Sequence, residues 1–227
     1  MKKIVLALCL LAAVSTQAQN LQFHYDFGKD RKYVTTTLEM FKADKWGSSF
    51  FFVDYDHDQT GSHSPSGSYM EITRSLNFWG GPLSAHVEYD GGLGYNGDTN
   101  FGYGINSAWL FGADYFMHSK DFSRTLTLQA MFKNIRGKNN TAQLTAVWGT
   151  QWFNKKFTFS GFADLWWEKN TYEYLTDEIH PVFLTEPQLW YNFTEHMSAG
   201  SEIELSTNFA GNEGFMVNPT LAVKWNF

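Results

Sequence analysis

Three groups of residues have types and spacing that can do chemistry. His63-Ser64 and His118-Ser119 each set an imidazole beside a hydroxyl, the pairing from which an activated serine nucleophile is built. Neither pair has the His-x-Ser spacing of the outer-membrane phospholipases, which hold their Ser, His and Asn in mid-strand. His63 falls in a Gly/Ser loop and His118 beside a turn, so no catalytic residue is assigned and the chain is read as a non-enzyme. DYDHDQTGS places Asp54, Asp56 and Asp58 at alternate positions, like the start of a calcium loop, but the sixth position is not Gly and Pro65 stands at the twelfth. A strand-to-loop junction is the plainer reading, and no metal or cofactor is expected. The third group is spread out: Glu39, Asp54, Glu71, Glu88, Asp114, Asp164, Glu186, Glu202 and Glu204 recur among apolar residues of opposite parity. Carboxylates gathered on one wall repel anions and accept hydrogen bonds from neutral solutes.

Gathering them requires strands, because only a period of two sends alternate side chains to opposite faces. Twelve stretches alternate in this way. LQFHYDF puts Leu21, Phe23, Tyr25 and Phe27 against Gln22, His24 and Asp26. Others lie near residues 33–43, 49–56, 68–78, 83–90, 103–116, 125–133, 141–152, 157–168, 183–193 and 201–209, and the last, PTLAVKWNF, runs to Phe227. Connections at 45–47, 80–82, 153–156 and 194–196 are short, whereas HDQTGSHSPSG, GGLGYNGDTN and EKNTYEYLTDEIH are longer and polar. Short turns at one end and long loops at the other fit a transmembrane up-and-down β-barrel of about 12 strands. With about 11 residues per strand, roughly seven remain for each connection.

The ends and composition agree with that fold. MKKIVLALCLLAAVSTQA has two lysines, an apolar run too short to span a bilayer, and small residues at a cleavage site, so residues 1–18 read as a signal peptide and 19–227 as one barrel domain. The only cysteine, Cys9, lies in the leader, so the mature chain has no thiol chemistry. A net charge of -6 excludes a nucleic-acid surface, and 18% aromatics in a chain of negative mean hydropathy suits faces that alternate. Export and a barrel together place the protein in the outer membrane of a Gram-negative cell.

Alternation alone does not say which face is inside. Trp46, Trp79, Phe122, Trp152, Phe153 and Phe193 stand at or beside the short turns, where an interfacial belt would sit. A soluble sandwich would expose them for no gain. With the apolar face outward, the inner face receives the nine acids above and Asp26, against only Lys133 and Lys224, together with Phe52, Trp166 and Trp190. Twelve strands enclose a space between the filled eight-stranded barrel and the open 16-stranded porin. Arg74 falls on the apolar face and calls for a bulge or an interfacial position, and Pro187 and Pro219 call for strand ends or bulges.

TTTLEMFKADKWGSSFFFVDYDHD followed by GSYMEITRSLNF resembles the N-terminal half of the nucleoside-specific channel-forming outer-membrane proteins, the Tsx-like family, or a related family of short outer-membrane barrels. The likeness runs over residues 33–78. It implies a monomeric twelve-stranded barrel that passes nucleosides, with Glu39, Asp54 and Glu71 in the lumen. The expected partners are outer-membrane lipid, a small neutral solute such as a nucleoside, and the barrel-assembly machinery, which Trp225 and Phe227 would meet on the last strand. The alternatives are a plugged structural barrel and, beyond it, a lipid-hydrolysing enzyme.

Overall fold

The computed structural model describes residues 17–29, 31–57, 65–96, 99–169 and 178–227. The strands are β1 (Gln17–Asp26), β2 (Val34–Asp44), β3 (Gly47–His57), β4 (Pro65–Leu76), β5 (Leu83–Asn96), β6 (Phe101–His118), β7 (Arg124–Ile135), β8 (Asn140–Trp152), β9 (Phe157–Lys169), β10 (Ile179–Thr185), β11 (Gln188–Asn192), β12 (Met197–Thr207) and β13 (Phe215–Asn226). No helix occurs among the described residues. Residues 1–16 of the expected leader lie outside the described part, and β1 begins two residues before the expected cleavage point.

Neighbouring strands pair antiparallel in chain order. The ring closes where β13 lies between β12 and β1, with Asn20 opposite Asn226 and Asp26 opposite Thr220. Closure leaves no unpaired edge, the condition for a sheet to survive in lipid. Twelve strands form the ring, and β10 continues the line of β11. Thr185 faces Ala163 and Gln188 faces Ser160, a constant register against β9; Thr185 faces Leu205 and Gln188 faces Glu202, a constant register against β12. The expected strand at 183–193 is therefore one stave interrupted at Glu186-Pro187, where proline has no N–H to donate.

The interruption explains Gly161 in β9. Its φ is +153°, and a Cβ there would lie 2.5 Å from the Glu186 carbonyl oxygen and 3.0 Å from Pro187 Cα. Pro187 thus sits at a break, as expected. Pro219 does not: it lies inside β13, opposite Ile203. Beside it hydroxyls stand in for the ladder, since the Thr220 hydroxyl accepts from Glu202 N at 3.1 Å and the Ser201 hydroxyl donates to the Thr220 carbonyl at 2.6 Å. Arg74 needs no bulge. Its guanidinium grips both carboxylate oxygens of Asp44, at the last residue of β2, at 2.9 Å each, close to the short-turn end where water is near.

Burial decides the faces. Along β1, Asn20, Gln22, His24 and Asp26 are buried while Phe23, Tyr25 and Phe27 are exposed. Polar inside and apolar outside is the reverse of a soluble core, and it is stable only when lipid covers the outer surface. Exposed rings form a belt at each end. Trp46, Trp79, Phe122, Trp152, Phe193 and Phe153, the last 77% exposed, mark the short turns; Phe27, Tyr55, Tyr103 and Phe215 mark the loop end. The inner wall is not polar throughout: Ala108, Leu110, Met131, Ile135, Trp166, Val182 and Leu184 pack together with Phe162 and Phe209.

Candidate functional site: the inner face of the barrel

Strand parity and register bring the acids of seven strands, and Glu186 from the break between β10 and β11, to one interior. Glu39, Phe52, Asp54, Glu71, Glu88, Asp114, Asp164, Trp166, Glu186, Trp190, Glu202 and Glu204 share the face of the buried Asn20, Gln22 and Gln143, as the cross-strand partners Asn20–Glu39, Glu39–Phe52, Phe52–Glu71 and Thr145–Asp164 show. They fall into two groups.

One group is sealed into hydrogen-bond networks. His86 lies between two carboxylates, Nδ1 at 2.8 Å from Asp114 and Nε2 at 3.2 Å from Glu88. Thr73 donates to Glu88 at 2.9 Å, and the Ser75 hydroxyl donates to Asp114. Glu204 pairs with Arg31 at 2.8 Å and accepts from Ser206 and Asn218 at 3.0 Å each. Arg31, from the β1–β2 connection, also reaches Asp26 at 3.2 Å. Trp190 is 0% exposed, with the Lys224 ammonium 3.9 Å from its ring centroid, and Lys133 lies 4.5 Å from Trp166. These cation–π contacts hold both inner lysines against the wall.

The other group is half-buried and still reachable: Glu39, Phe52, Asp54, Glu71, Asp164, Glu186 and Glu202. Their wall-side hydrogen bonds come from neutral donors, Asn20 to Glu39 at 2.8 Å, Thr37 to Asp54 at 2.5 Å, Tyr69 to Glu71 at 3.0 Å, Thr145 to Asp164 at 2.5 Å and Gln188 to Glu202 at 2.5 Å. Glu186 lies within electrostatic reach of Glu202, Asp54 and Glu71, and Glu202 within reach of Asp54 and Glu39. Since β4 stands six staves from the β10–β11 stave in a ring of twelve, Glu71 and Glu186 face the lumen from opposite walls, with Asp54 and Glu202 on staves between them.

Other candidate chemistry takes its place around this site. His118 Nδ1 lies 2.8 Å from the Ser119 backbone oxygen and its ring stacks 4.0 Å from Phe122, while the Ser119 hydroxyl donates to Asp121 at 2.6 Å, so the pair forms no relay. His63-Ser64 and Asp58 lie outside the described residues. Asp56 accepts from Thr35 at 2.6 Å on the same face as Asp54. Sequence reasoning missed Arg31 and Asp90 as members of the interior. Arg31 is in a connection that alternation cannot place; Asp90 is on the polar face of its strand and was readable there.

A closed antiparallel ring of twelve strands with a polar lumen and a lipid-facing apolar wall defines a barrel of the outer-membrane type. Its family is shown by sequence: the model described as "Domain of unknown function (DUF5020)" matches residues 18–227, and the chain belongs to that family. Two solved structures share the architecture. The chain superposes on the NanC porin with a TM-score of 0.59 at 10% identity, over 92% of this chain and 100% of that one. It superposes on the KdgM porin with a TM-score of 0.53 at 11% identity, over 92% and 99%. No curated protein matches the sequence.

Proposed function

We propose that this protein is an outer-membrane channel for small neutral solutes, nucleosides foremost, which cross a narrow acidic lumen. The observation that carries the reading is the set of half-buried carboxylates gathered round the inner face, Glu71 and Glu186 on opposite walls and Asp54 and Glu202 on staves between them. The porin fold of NanC and KdgM and the resemblance over residues 33–78 support it. A phosphate entering this space meets an excess of carboxylates over cations, whereas a neutral solute offers hydroxyls to the carboxylates and a flat face to Phe52. The reading has no catalytic step. It takes lipid as the surroundings, a monomer as the unit and β13 as the contact with the assembly machinery.

The wall around Trp190 favours a second reading, a plugged structural barrel, because Trp190 is fully buried there, with the Lys224 ammonium over its ring and the His24 ring edge-on at 5.9 Å. Liposome swelling separates the two. Adenosine is expected to enter far faster than its monophosphate and faster than a sugar of similar size. Equal rates for all three contradict a selective channel, and no flux establishes the plugged barrel.

A further inference from the structure

We propose that Glu71, Glu88 and Asp90 form a calcium site on the inner wall at the seam between β4 and β5. The site does not depend on transport, since a plugged barrel holds the same three residues. Register creates it. Glu71 stands directly opposite Asp90, and Glu88 lies two residues from Asp90 on the same face, opposite Thr73. Like charges opposed across a ladder destabilise it, so three such carboxylates call for a compensating cation. Lys133 gives only part of one: its ammonium is 3.9 Å from Asp90 Oδ2, donates to Gln143 at 2.6 Å and lies over Trp166. His86 reaches Glu88 but is shared with Asp114.

A second observation points to a ligand. Asp90 is 5% exposed, and its Oδ1 is a buried oxygen without a hydrogen-bond partner among the described residues. Such an atom is normally satisfied. One oxygen from each of Glu71, Glu88 and Asp90 lies within 4.8 Å of the others. Calcium binds oxygens at about 2.3–2.6 Å, so two of its ligands sit up to about 5 Å apart, whereas magnesium, at about 2.0–2.1 Å, draws them closer. An all-oxygen, anionic donor set is hard and suits calcium over softer metals. The two glutamates are also fixed from the wall side: Tyr69 donates to Glu71 Oε1, and Thr73 and His86 hold Glu88 Oε2. The three residues are scattered over two strands, so no local pattern like DYDHD marks the site in the sequence.

The test is calorimetric titration of calcium chloride into the detergent-solubilised, EDTA-stripped full chain at fixed ionic strength. One saturable site is expected, with affinity lowered about tenfold or more in Asp90→Asn and held in Glu202→Gln, an acid of another wall. No saturable binding overturns the proposal, as does undiminished binding by Asp90→Asn or an equal loss in Glu202→Gln, which would mark a diffuse ion cloud. Each variant is first checked for a heat-dependent shift in gel mobility; if Asp90→Asn does not fold, the half-buried Glu71→Gln carries the same expectation.

Discussion

Asp54 and Gly161 show how much of this barrel rests on single side chains, or on the lack of one. Asp54 is held by the Thr37 hydroxyl, a neutral donor, at 2.5 Å and stays half-buried on the inner face. Gly161 admits the Glu186-Pro187 break, across which β10 and β11 keep one register against both neighbours. Adding a single methyl at this position meets a carbonyl oxygen and a positive φ together. Gly161→Ala is expected to destabilise the barrel by about 1–3 kcal/mol, the usual size of backbone strain at one residue. The temperature at which the folded gel band converts to the unfolded one measures this; an unchanged midpoint would show that the wall yields there at no cost.

At the scale of the element, β13 closes the ring. Phe227, the residue after it, is 68% exposed, and its N–H donates to the Gln19 carbonyl at 3.0 Å. Even full burial of a phenylalanine contributes only about 1.5–3 kcal/mol, too little for its loss to unfold a closed barrel. If Phe227 is read by the assembly machinery, deleting it should cut the amount of protein in the outer membrane far more than it lowers the melting point of what is recovered. Quantitative immunoblotting of membrane fractions decides; near-normal levels would make Phe227 a packing residue. Strands like this were the legible part of the sequence, because parity alone assigns Leu221, Val223 and Trp225 to one face and Lys224 to the other. Pro187 signalled the break, but Pro219 misled, since side-chain hydroxyls can replace ladder bonds where no pattern reveals it. The closeness of Glu71 to Asp90 was hidden for a different reason: alternation gives the face of a residue and not its partner across the seam.

At the scale of the whole molecule, the barrel places an acidic, partly reachable interior inside an apolar wall with aromatic belts at both ends. The inner lysines are pressed onto Trp166 and Trp190, and Arg31 is engaged by Asp26 and Glu204, so the positive charge lies against the wall while carboxylates face the space between. An interior of this sign concentrates cations and excludes anions whatever neutral solute also passes. The most direct measurement is the reversal potential of the purified protein in a planar bilayer under a potassium chloride gradient. Measurable conductance with cation preference is expected, reduced when Glu39→Gln, Asp54→Asn and Glu71→Gln are combined. Anion preference, or no conductance from protein that gives the folded gel band, would contradict it.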